Sequence, residues 1–208
     1  MTTLIGCAGS LLLPCCLTAH PGEVSAKEIG YEIVGQVLNP SAQQSVQYGY
    51  LNFINGLDRI TTTAGAAVSE ATALFTFYND TATERVINNG PVRVIDRTGT
   101  GTIFLDSGNS DFANPDTFRK GVPVQNFTLR HQVVIDTSTG YFTATFDITI
   151  KSAKTFQIDG KTYILGRRRG VYRLSVSGKL ATQTPPSAYI AGVANGISAD
   201  LVENDYPN

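Results

Sequence analysis

Two side chains stand out as able to do chemistry, His131 and Tyr172. His131 interrupts an apolar row, Phe127, Leu129, Val133 and Ile135, that shares one strand face because strand side chains alternate with period two. An imidazole on a dry face is either hydrogen-bonded to a neighbour and structural, or aimed into an apolar cavity where it orients a bound carbonyl. Tyr172 poses the same choice, since a buried phenol needs a partner and a ligand can be one. Both are candidate catalytic residues. Tyr48, Tyr50, Phe75, Phe127, Phe142 and Phe146 are the candidate ligand-binding aromatics. Tyr48 and Tyr50 share one face of their strand while Leu51 and Phe53 occupy the other, so the sequence leaves open which face is inward.

Other chemistries find little support. There is no P-loop, dinucleotide fingerprint, GxSxG elbow or HExxH pair. His20 and His131 are the only histidines, too few for a histidine-rich metal site, and no metal or cofactor is expected. Asp106, Asp111 and Asp116 share one loop but match no calcium-binding spacing, and acidic loop residues are ordinarily solvated turn formers. Cys7, Cys15 and Cys16 all precede residue 17, so they cannot staple the body of the chain to itself. Asn79-Asp80-Thr81 and Asn126-Phe127-Thr128 are sequons, relevant only in a eukaryotic secretory route.

The elements that must position His131 form a long hairpin, Val122 to Lys151. In its second arm Phe142, Ala144, Phe146, Ile148 and Ile150 alternate with Thr143, Thr145, Asp147 and Thr149, one dry face and one wet. Asp136-Thr137-Ser138-Thr139-Gly140 supplies the turn. Phe127, Leu129, Val133, Phe142, Phe146 and Ile148 are expected to face inward.

Further strands are expected over 28–38, 45–54, 70–80, 92–97, 101–106 and 170–181, with a short hairpin over 155–166 around Asp159-Gly160. The loop over 107–121 carries Phe112 and Phe118, which read as pins holding a lid over a barrel end. Arg167-Arg168-Arg169 reads as a solvated turn.

At 208 residues the chain is long enough for one domain with a real core, and a formal net charge of -1 gives no footprint for nucleic acid. Residues 1–27 read as a leader, signal-like or disordered, 28–181 as the folded domain and 182–208 as an irregular tail. The apolar run in 1–19 is short and broken by Pro14, so no membrane span is expected. The compartment is secreted or periplasmic if that run is a degenerate signal, cytoplasmic otherwise. Eight to ten strands joined by short turns favour an all-β, closed, antiparallel up-and-down barrel of about eight strands, with a β-sandwich as the alternative.

The segments YGYLNFI, ATALFTFYND, DFANPDTFRKG, GYFTATFDITI and GRRRGVYRLSVSGKL, by their order and lengths, resemble allene oxide cyclase-like and dirigent-like small barrels. The resemblance covers residues 28–181 and implies an eight-stranded barrel with an apolar lumen. It further implies a cofactor-independent cyclase or isomerase that folds an apolar biosynthetic intermediate by shape and a few polar groups. No family catalytic residue maps onto this chain. A non-catalytic carrier of an apolar ligand, or a secreted structural module, is the alternative. The partner expected is an apolar small molecule; self-association is left open.

Overall fold

The computed structural model describes residues 28–106 and 108–197. The expected leader, 1–27, with Cys7, Cys15, Cys16 and His20, and residues 198–208 of the expected tail, lie outside the described residues.

The strands are β1 (Glu28–Leu38), β2 (Gln44–Ile54), β3 (Phe75–Asn89), β4 (Val92–Leu105), β5 (Val122–Asp136), β6 (Tyr141–Ala153), β7 (Thr155–Ile158), β8 (Lys161–Ile164), β9 (Val171–Leu180) and β10 (Ala188–Ile197). Eight of them close an antiparallel barrel in the order β1-β10-β9-β6-β5-β4-β3-β2, while β7 and β8 pair only with each other. This is the expected all-β closed barrel. The only helical element among the described residues is a single 3-10 turn, Pro115–Arg119.

Alternation dictates the closure. Phe127, Leu129, Val133, Phe142, Phe146 and Ile148 are all buried in one continuous core, as their alternation requires. Glycines let rings lie against the inner wall: Gly35 and Gly49 face each other across β1 and β2, and Phe77 covers both. A Cβ on Gly35 would come within 2.9 Å of the Phe77 ring, so only glycine fits beneath it.

The connections separate by end. Short turns join β1 to β2, β3 to β4 at Gly90, β5 to β6 at Gly140, and β9 to β10. Longer segments gather at the other end, where the β7–β8 hairpin turns at Asp159 and Gly160, both at positive φ as a type I′ turn requires. This hairpin closes its end of the barrel. Phe156 meets Phe75 edge-on at 5.3 Å and stacks on Tyr163, with Ile158 and Leu165 buried beside them.

Four expectations need correction. The tail expected to be irregular from residue 182 contains a strand over Ala188–Ile197: β10 pairs with β9 and with β1 along its whole length and closes the barrel. Its sequence, AYIAGVANGI, has small or apolar residues on both faces, so the period-two contrast is absent. The strands expected over 92–97 and 101–106 are one strand, β4, whose Thr98-Gly99-Thr100-Gly101 stays in register with both neighbours. The strand expected from residue 70 begins at Phe75. The loop over 107–121 is no lid: Phe112 and Phe118 pack on Tyr48 at 6.0 and 5.3 Å, against the outer wall of β2 and β3. Thr76 Oγ1 donates to the Phe118 carbonyl at 2.9 Å and fixes the loop there.

Candidate functional site

The open end of the barrel holds a cavity of about 60 Å3 built from two unlike walls. One is apolar: Phe142, Phe146, Val176 and Ile190, presented by β6, β9 and β10. The other is polar: Ser45 and Gln47 from β2, Arg97 from β4 and His131 from β5. Register explains the juxtaposition, because Arg97 lies directly opposite His131, and His131 directly opposite Phe146, so the three share the inner face. His131 is five residues from Asp136 at the rim, about 16 Å along the strand.

The His131 ring packs edge-on against Phe146, centroids 4.4 Å apart, and is 2% exposed. Among the described residues neither Nδ1 nor Nε2 has a hydrogen-bond partner. Burial pushes its pKa down to about 3, with the Arg97 cation adding to the shift and Asp96 opposing it. The ring is therefore neutral at physiological pH, with one N–H to donate and one nitrogen lone pair to accept.

Arg97 is buried, and its Nε donates to Thr83 Oγ1 at 3.3 Å. Burial and then the Arg93 cation lower its pKa. Among the described residues no carboxylate lines the cavity. The adjacent Asp96 faces outward, where it accepts from Arg85 and from Gln132, the latter at 3.0 Å, and these bonds hold its carboxyl below the usual range. Gln47 Nε2 donates to Ser45 Oγ at 2.8 Å and Thr81 Oγ1 at 3.2 Å, while its Oε1 has no partner.

Beneath this layer the lumen is filled by Ile33, Leu51, Phe77, Phe127, Ile148 and Leu174, leaving about 10 Å3. The filling separates the two candidate catalytic residues. Tyr172 sits at the plugged end, where its hydroxyl donates to Gln125 Oε1 at 2.7 Å and Gln125 Nε2 donates to the Leu165 carbonyl at 2.5 Å. Burial raises its pKa well above the usual value. Its partner is thus structural, and Tyr172 is no part of the open cavity.

Of the six candidate ligand-binding aromatics, Phe142 and Phe146 line the cavity. Phe127 belongs to the filled layer and Phe75 to the plug. Tyr48 and Tyr50 face outward under the 107–121 loop, which corrects their assignment; the Tyr48 hydroxyl bonds Gln36, and burial raises its pKa to about 12.

The site residues that sequence reasoning missed are Arg97, Gln47 and Ser45. Arg97 was hidden at a strand end by reading Thr98-Gly99-Thr100 as a turn. The signal was present: Ile95, Arg97, Gly99, Gly101 and Ile103 form one unbroken period-two row.

The remaining candidates fall away. Asp106, Asp111 and Asp116 accept from Ser110, the Ala113 N–H and Arg119 respectively, and no group of metal-competent side chains exists among the described residues. Arg167, Arg168 and Arg169 are exposed, as expected. Asn79 of the first sequon is buried in the lumen, and Asn126 of the second is bonded to Ser152 and Thr102, so neither is presented to a glycosylating enzyme by the folded barrel. An outer groove of about 700 Å3 beside Tyr141 and Tyr189 is larger but shallow. Among the described residues no helix is long and apolar enough to cross a membrane.

Compared with protein-family models, curated proteins and solved structures, the chain has no significant match in any of the three.

Proposed function

We propose that this barrel binds a small, largely apolar molecule through its open end and holds that molecule's polar group against His131. The observation that carries the reading is the pair of ring nitrogens, unpartnered among the described residues, that face the apolar Phe142–Phe146 wall of the cavity. Leaving a buried polar group unpaired costs roughly 1–3 kcal/mol, and a ligand that supplies the partner recovers that cost as affinity. The test is uptake of a panel of small alcohols, ketones and acids by wild-type protein and by His131→Leu, read by calorimetry. Binding to the wild type and its weakening by about tenfold in the variant, with an unchanged far-ultraviolet spectrum, is the expected result. A wild-type protein that takes up none of the panel would instead favour a structural module.

A finer reading is cofactor-independent cyclisation or isomerisation, which the resemblance to allene oxide cyclase-like barrels implies. One feature favours it: a neutral imidazole can polarise a carbonyl while the Phe142–Phe146 wall holds a flexible chain in a reactive shape. With a pKa near 3 the ring is a poor proton acceptor, so its role would be orientation rather than proton abstraction. Incubation with polyene and oxylipin-like compounds separates the two readings. Isomers of equal mass mark an enzyme, and recovered, unaltered ligand marks a carrier.

A further inference from the structure

We infer that the molecule taken into the open end is an organic monoanion, a carboxylate on a compact apolar body, anchored by Arg97 with His131 as second donor. The inference rests on the lumen-binding reading above and adds the charge of the ligand. Its ground is an imbalance inside the barrel. Arg97 is 8% exposed, yet among the described residues the only hydrogen bond it makes is to Thr83. A guanidinium cannot shed its proton in a protein, so a full positive charge stands in the cavity wall, with most of its five donors lacking a partner among the described residues and its terminal nitrogens left to solvent.

The carboxylates close in sequence are committed elsewhere. Asp96 lies on the outer face with Arg85 and Gln132, and Glu84 accepts from Thr98. Within the lumen the other polar side chains, His131, Gln47, Ser45, Asn39 and Asn79, are neutral. A buried charge without a fixed counter-ion is costly. An incoming carboxylate removes that cost and matches the planar fork of the guanidinium with two parallel hydrogen bonds. Arg93, four residues nearer the rim on the same face of β4, is exposed and draws an anion toward the mouth. The enclosed volume, about 60 Å3, holds the head group and the first carbons against Phe142, Val176 and Ile190, and the rest of a short chain extends through the open end.

The experiment compares hexanoate, 1-hexanol and hexylammonium, which share one chain and differ in head charge. Each is titrated into the full-length protein at fixed ionic strength and followed by calorimetry and by the His131 side-chain resonances. The wild type is expected to bind hexanoate at least tenfold more tightly than 1-hexanol and to reject hexylammonium. Arg97→Met, which keeps length and removes charge, should abolish the preference for hexanoate over 1-hexanol measured in the same variant. Arg97→Lys should fall between the two. Equal wild-type affinities for the acid and the alcohol would overturn the anion assignment while leaving lumen binding intact. Failure of all three to bind would overturn lumen binding and the anion assignment with it. The head-group comparison on wild-type protein stands even if Arg97→Met does not fold.

Discussion

His131 is held in a form that solvent would not choose. In the unfolded chain an imidazole takes up a proton near pH 6.5, whereas in the fold it does so only near 3. The unfolded state therefore binds the extra proton between those values, and stability is complete above about 6.5 and lost as pH falls toward about 3. His131→Leu removes this component, so wild type should lose stability relative to the variant by up to about 1.4 kcal/mol per pH unit on acidification. Urea unfolding of both proteins at pH 7, 6 and 5 checks it, and parallel pH dependences would contradict it. His20, common to both, cancels in the comparison. At this scale the sequence was half legible. A histidine breaking an apolar row announces itself, but Gln125 reads as a wet residue at the end of that row. It is buried only because the β7–β8 hairpin covers that end, a contact no local pattern encodes.

Elements were legible in proportion to the contrast between their faces. β5, β6 and β9 each have one wet and one dry side, and their alternation gives both strand and inward face. β2 does not, because the 107–121 loop turns part of its outer face into a second, smaller core of Tyr48, Phe112 and Phe118. Phe118 is fully buried there, away from the lumen. Phe118→Ala should therefore cost about 3–5 kcal/mol by the usual penalty for emptying an aromatic site, while leaving ligand affinity in the open cavity unchanged. Thermal unfolding and hexanoate titration of the same sample measure both quantities. A loss of affinity in protein that is still folded would show that the loop communicates with the lumen.

The whole molecule depends on its seam. β1 joins β10 along residues Glu28–Val37 and Ala188–Ile197, so the last described strand completes the wall that the first begins. Ending the chain at residue 181 would leave β1 and β9 each with a bare edge and open the core around Ile33 and Leu174 to water. Such a protein is expected to be insoluble or to lack a cooperative unfolding transition; a soluble, cooperatively melting product would contradict the assigned closure. The same seam fixes where the wall starts only by convention. Glu28 and Ile197 are direct register partners at the plugged end, so a short linker could join them, and the ring could be cut instead at the exposed Asn89-Gly90 turn. Every strand would keep both neighbours in such a circular permutant. The barrel is thus specified as a cycle of pairings, and the linear order in which the ribosome delivers its strands is one of several that would close it.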